Sequence, residues 1–137
     1  MVRHAMKALV LTAVFASGWG LLAQQAPANA PTVTRTVLLQ QDVTAAPGMA
    51  SALVRVDLPV GGREGRHQHP GMLIVHVLEG VLTLDYEGKP TTQYKVGDTF
   101  SVEPGKVHEG INRSNAPVKL LASFVFPKDK PMTVQVP

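Results

Sequence analysis

The sequence predicts one small all-β domain, and three observations lead to that fold class. After Pro31, short runs rich in Val, Leu, Thr and aromatic residues alternate with turn residues about every ten positions. No window of this region keeps apolar residues at helical spacing for more than two turns. The chain is 45% hydrophobic and 17% charged, a composition that allows a buried core. Its 137 residues are too few for two ordinary domains.

Nine strands are predicted, separated by residues that favour turns. In chain order they cover residues 33–40, 50–58, 66–69, 73–78, 81–86, 91–94, 99–102, 108–112 and 118–126. Glycine, proline, aspartate and asparagine between them supply the backbone angles or local hydrogen bonds of tight turns. The breaks are Pro47-Gly48, Pro59-Val60-Gly61-Gly62, Pro70-Gly71, Glu79-Gly80, Glu87-Gly88, Gly97-Asp98, Pro104-Gly105 and Asn115-Ala116-Pro117. Residues 32–127 therefore form the predicted domain, and 128–137 form a polar C-terminal tail. The domain has about the size of an eight-stranded double-sheet jelly roll, an architecture that can hold a ligand between its two sheets.

The first 28 residues have the pattern of a secretory signal peptide. Basic residues precede an apolar run over 8–23, and Ala26-Pro27-Ala28 follows as a small-residue cleavage motif. The run is shorter than the roughly 20 apolar residues of a membrane span, and no later run is long enough to predict stable membrane insertion. Cleavage after Ala28 predicts a secreted or periplasmic protein. The exact cleavage site and an uncleaved anchor stay open as alternatives.

Composition excludes several kinds of site. The absence of cysteine excludes disulfides, thiolate metal ligands and a cysteine nucleophile. Loss of Arg3 and Lys7 with the leader lowers Lys+Arg from 13 to 11, against 10 Asp+Glu residues. Since the remaining basic residues are scattered, nucleic-acid binding has no electrostatic support.

The segment His67-Gln68-His69 places two histidines on alternate positions of a predicted strand. Alternate strand residues share a face, so the two imidazoles lie close enough to bind one metal ion. On spacing alone, an ordinary pair of surface histidines is the alternative interpretation.

Two blocks of spaced residues surround this pair. They are Gly61, His67, His69 and Gly80, and then Gly97, Gly105, His108 and Asn112. Their spacing follows the motifs G-x5-H-x-H-x3-4-E-x6-G and G-x5-P-x-G-x2-H-x3-N. On these residues the chain from about 32 to 126 resembles the cupin superfamily, in particular its small single-domain, exported bacterial members. The resemblance implies a double-stranded β-helix, which is a jelly-roll barrel.

The resemblance also implies that His67, His69 and His108 hold a divalent metal ion, with Fe, Mn, Zn, Cu and Ni not distinguished. The glutamate of the first motif is missing, because Leu73 or Ile74 stands in its place. Cupins that bind iron through three histidines include the thiol dioxygenases, so this departure does not abolish a site. Three neutral imidazoles leave the charge of the ion uncompensated, which favours an anionic ligand. A cupin that keeps its histidines but binds no metal is the alternative.

The other polar residues near the motifs are not predicted to be metal ligands. If Leu73 faces the barrel interior, His76 faces outward. Glu64 lies in a Gly-rich loop and Glu109 alternates out of phase with His108, so neither is predicted as a ligand. No catalytic base is assigned.

Family analogy predicts an exported metal-binding cupin that binds or oxidises a small anionic molecule, as a dioxygenase would. A non-catalytic ligand-binding barrel or a structural scaffold is the alternative. A homodimer is also expected, because the apolar run 33–39 could add to the sheet of a second copy.

Overall fold

A computed structural model describes residues 31–137, which form ten strands and no helix. The predicted leader, residues 1–28, lies outside the described residues. In chain order the strands are β1 (Thr34–Asp42), β2 (Met49–Leu58), β3 (His67–Gln68), β4 (Met72–Glu79), β5 (Val81–Tyr86), β6 (Thr92–Lys95), β7 (Thr99–Val102), β8 (His108–Ile111), β9 (Val118–Pro127) and β10 (Val134–Gln135). Within residues 31–137, no helix has the length and apolar character needed to cross a bilayer.

The strands form two five-stranded sheets that are antiparallel throughout. The first sheet has the order β1-β2-β9-β4-β7, and the second has the order β10-β3-β8-β5-β6. This confirms the predicted all-β fold and its jelly-roll architecture, in which side chains of both sheets face a common interior.

The core is built from alternate residues of the long strands. Every second residue of β2 and β9 is buried, as the two-residue period of a strand requires. Small and large side chains face each other across this pair: Ala52 lies opposite Phe124, and Val54 lies opposite Ala122. A small side chain beside a large one lets the two strands pack closely, so these side chains fill the interior next to the middle of the first sheet.

The β4–β5 turn depends on Gly80, one of the motif glycines. Its φ angle of 78° lies in the left-handed region, which side chains with a Cβ rarely adopt. A Cβ built at this position would stand 2.3 Å from the carbonyl oxygen of Pro117. The motif glycine therefore permits both the turn and the close approach of the loop before β9.

The C-terminal segment differs from the predicted tail, because it adds a strand that the sequence analysis did not predict. Val134 pairs with Gln68 and Gln135 pairs with His67, so β10 covers the edge of β3. A two-residue strand is too short to show a period in the sequence, and its partner lies more than sixty positions earlier. The predicted strand 66–69 is likewise shorter in the structure, since β3 spans only His67–Gln68.

Candidate metal centre

The second sheet brings three histidines together inside the barrel. His67 on β3 lies directly opposite His108 on β8, and His69 follows immediately after β3. All three are buried, and their ring centroids are 4.3 to 5.0 Å apart. One nitrogen from each ring lies within 4.8 Å of the other two, so the three residues could hold one metal ion.

Backbone carbonyls fix the orientation of each ring. The Nδ1 atoms of His67, His69 and His108 lie 2.7, 2.8 and 3.0 Å from the carbonyl oxygens of Gly65, Met132 and Lys106. A carbonyl only accepts hydrogen bonds, so each Nδ1 carries the proton and donates it. The lone pair then belongs to Nε2, which is the arrangement that a histidine ligand requires.

The Nε2 atom of His69 supports a ligand at this point. It is the one buried side-chain nitrogen or oxygen in residues 31–137 that has no hydrogen-bond partner. A buried polar atom without a partner is costly, and a metal ion would satisfy it. The donor set and the orphaned nitrogen therefore fit a divalent cation.

Burial holds the three imidazoles in their neutral form. It lowers the pKa of His67 and His108, and it lowers the pKa of His69 to about 4. Neighbouring charge adds to this in His69, where the other two histidines and Arg35 also disfavour a proton. Neutral imidazoles are available to a metal without first losing a proton.

These shifts predict that acid destabilises the metal-free protein. The unfolded chain binds a proton at His69 near pH 6.5, whereas the folded chain binds it only near pH 4. The stabilising contribution is therefore complete above about pH 6.5 and is lost as the pH falls through about 4. Urea unfolding of the metal-free protein across this range would measure the loss. The His69→Gln variant should show a shallower dependence, and an unchanged slope would contradict the assignment.

The histidines line a mainly apolar cavity of about 80 Å³. Both sheets supply its walls, with Val75 and Phe124 from the first and Leu82 from the second. An apolar cavity of roughly 150 Å³ takes a benzene molecule, so this space suits a smaller ligand. Low polarity around the site strengthens electrostatic interactions made inside it.

Strand parity places the other residues as the sequence predicts. Leu73 is buried and lines the cavity, so the position of the missing motif glutamate is apolar. His76 points away from the cavity and its Nδ1 lies 2.8 Å from Thr99 Oγ1. Glu109 points away from the histidines and makes two hydrogen bonds with Arg63, at 2.9 and 2.7 Å.

Two charged residues of the cavity were not assigned to the site from the sequence. Arg35 on β1 and Glu64 in the loop before β3 both line it, and their side chains form an ion pair at 3.3 Å. Burial raises the pKa of Glu64, while Arg35 and His108 oppose that shift. A half-buried carboxylate that lines the cavity with the three histidines could not be predicted from a Gly-rich loop, because nothing in its local sequence fixes where the side chain points.

Comparison with known proteins agrees with this architecture. A family profile described as a cupin domain matches residues 54–124. No curated protein matches the sequence. Among solved structures, a conserved protein with a double-stranded β-helix domain from Klebsiella pneumoniae is 24% identical, with a TM-score of 0.63 over 82% of this chain and 90% of that one.

Two enzymes are among the other structural neighbours. Oxalate oxidase is 24% identical, with a TM-score of 0.62 over 80% of this chain and 57% of that one. A DMSP lyase from Ruegeria pomeroyi is 21% identical, with a TM-score of 0.62 over 76% of this chain and 51% of that one. The chain thus spans little more than half of either enzyme, and the likeness shows a shared fold.

Proposed function

The chain belongs to the cupin domain family, and from that premise we propose that it is an exported metalloprotein. In this proposal His67, His69 and His108 hold one divalent ion. The ion binds, or helps to oxidise, a small anionic molecule. The observation that carries the proposal is the set of three oriented, neutral imidazoles around one point. A divalent ion bound there would supply Lewis acidity, and a redox-active ion would also relay electrons from the bound molecule to dioxygen.

Charge favours an anion as the ligand. Three neutral imidazoles leave the charge of a divalent ion uncompensated, and Leu73 brings no carboxylate to the site. The one cavity-lining carboxylate in the described part of the chain, that of Glu64, is already paired with Arg35. By analogy of fold, the neighbouring oxalate oxidase has been solved with the small carboxylate glycolate as a substrate analogue.

The residues of this chain would contribute binding and protection. The apolar walls of the cavity exclude water from the ligand, and the carbonyls of Gly65, Met132 and Lys106 hold the imidazoles in place. A non-catalytic ligand-binding barrel is the second candidate. The mainly apolar lining of the cavity favours it, because such walls can hold a small molecule without taking part in a reaction.

The test begins with metal stoichiometry of the purified protein. After removal of bound metal, titration with Fe(II), Mn(II), Cu(II) and Zn(II) should show one equivalent bound. Oxygen uptake by the Fe(II)-loaded and Mn(II)-loaded protein with small carboxylates then separates the candidates. Uptake that depends on the carboxylate supports an oxidase or dioxygenase, and tight ligand binding without uptake supports the binding barrel. No stoichiometric metal binding would overturn the proposal.

Export and self-association complete the proposal. The leader pattern of residues 1–28 supports secretion or a periplasmic location, and the mass of the protein recovered after expression in a Gram-negative host would show whether the leader is removed.

A homodimer is supported by the edge strand β1, where Val37, Leu38 and Leu39 are about half exposed. Sedimentation at several concentrations should show twice the monomer mass, and a monomer throughout would contradict the dimer.

A further inference from the structure

We propose that Arg35 is the anion-binding residue of this cavity and that its ligand is a small monocarboxylate with an apolar body. In the ligand-free protein, the carboxylate of Glu64 pairs with Arg35 in place of the carboxylate of the ligand. The inference rests on the proposed function only for the metal. The pairing of Arg35 with a carboxylate ligand can be tested with or without metal.

The register of β1 directs Arg35 into the barrel. Arg35 lies opposite Val56, and Val37 lies opposite Val54. Directly opposed residues of an antiparallel pair point to the same face, and both valines of β2 are buried in the core. Arg35 therefore extends over the inner face of the first sheet, although its strand lies at the edge.

Arg35 and the three histidines line the same cavity. Arg35 lowers the pKa of both His67 and His69 through its charge. Its side chain keeps 39% of its exposure, so it stands where the cavity meets solvent. An anion that enters the cavity would therefore meet a positive charge before it reaches the imidazoles.

Gly110 makes room for the carboxylate of Glu64. Gly110 stands two residues after His108 on β8, so both positions face the cavity. A Cβ at Gly110 would lie 2.3 Å from Glu64 Oε2, which shows that the carboxylate occupies the space of the missing side chain. The backbone N–H of Glu64 also donates to the carbonyl of Gly110 at 3.0 Å. Glu64 is thus held beside the histidines with its other oxygen on Arg35.

The hydrogen bond between Arg35 and Glu64 is long, at 3.3 Å, and involves one guanidinium nitrogen. Arg63 and Glu109, by contrast, form a two-point pair at 2.7 and 2.9 Å. Two-point pairing is the stronger arrangement for a guanidinium and a carboxylate. A ligand carboxylate that meets Arg35 at two points would displace Glu64, and its apolar body would contact the aliphatic walls.

The size and polarity of the cavity limit the ligand. The 80 Å³ space and its Val, Leu and Phe walls suit a chain of a few carbon atoms. Apart from the histidines, Arg35 and Glu64 are the charged residues that line it within residues 31–137. One ligand carboxylate is therefore matched to Arg35, and in the metal-free cavity a second charge on the ligand would face apolar walls.

Calorimetry with propionate as the probe tests the inference, and propionamide serves as the neutral molecule of the same shape. On the zinc-loaded protein, Arg35→Met should weaken propionate binding by about tenfold or more and leave propionamide binding unchanged. Arg55→Met is the matched control, because Arg55 is an exposed arginine of the adjacent strand that is paired with Asp57. It should leave propionate binding within about twofold of wild type.

Glu64→Gln separates a competitor from a merely structural partner. If Glu64 competes for Arg35, this variant should bind propionate several-fold more tightly than wild type. Glu109→Gln removes the same charge from a residue that raises the pKa of His67 without lining the cavity, so it should have the smaller effect. An equal gain from both variants would show a general charge effect and overturn the competition.

The remaining outcomes also decide the inference. Unchanged propionate binding by Arg35→Met, or no propionate binding by wild type, would overturn it. If Arg35→Met does not fold, Arg35→Lys, which keeps the charge but loses the planar fork, should show a partial loss in its place. Failure of the protein to bind zinc would count against the proposed function alone, because the same variants are then compared on the metal-free protein.

Discussion

Replacing His108 by alanine is expected to remove stoichiometric metal binding from the protein. His108 supplies one of three nitrogens that converge within 4.8 Å, and the described residues offer no fourth histidine or carboxylate in that group. Loss of residues that merely orient metal ligands already costs 10–100-fold in affinity, so the loss of one ligand of three should exceed about 100-fold. Competition between the protein and a chromophoric chelator for Zn(II) and Co(II) would measure the change.

His76→Ala is the matched control for this experiment. His76 lies on β4 within the same barrel, but it faces outward and contacts Thr99 at 2.8 Å. Its removal should leave metal affinity unchanged, whereas His67→Ala should behave like His108→Ala. If the three alanine variants lost affinity equally, or none did, the metal would be bound elsewhere.

The parts of the site that follow from local pattern could be predicted from the sequence. The two-residue period of β4 placed Leu73 inside and His76 outside, and both positions agree with the structure. The motif spacing singled out the three histidines, which β3, the segment after it and β8 bring together. These predictions needed only the period of a strand and the resemblance of two short segments.

The parts that depend on pairing between distant segments could not be predicted. Met132 holds His69 across 63 positions, and Arg35 meets Glu64 across 29. Each contact exists because a strand takes an edge position in a sheet: β10 beside β3, and β1 beside β2. The local sequence of a strand does not specify which sheet edge a distant segment will pair with. The residues that complete the cavity can therefore be identified only from the folded structure.

Asn112→Ala is expected to destabilise the protein by about 3 kcal/mol, because it removes a buried side chain that bonds the buried carbonyl of Leu58 and several part-buried groups of two loops. Asn112 is 1% exposed. Its Nδ2 atom donates to the carbonyls of Leu58, Pro59 and Ala116 at 2.8 to 3.1 Å, and its Oδ1 atom accepts from the backbone and hydroxyl of Ser114. The motif asparagine thus joins two loops and lies outside the cavity lining. Urea unfolding of the metal-free variant would measure the loss.

Asn115→Ala in the same loop is the control, since Asn115 is exposed and should cost no more than about 0.5 kcal/mol. The two asparagines also separate stability from site assembly. The backbone of Asn112 exchanges hydrogen bonds with Gly61 and Gly62 at 3.1 and 2.9 Å, and this loop continues into Glu64. Loosening it should therefore weaken metal affinity in proportion to the lost stability, without the complete loss expected for His108→Ala. A stable Asn112→Ala protein that has lost its metal would instead place Asn112 in the site itself.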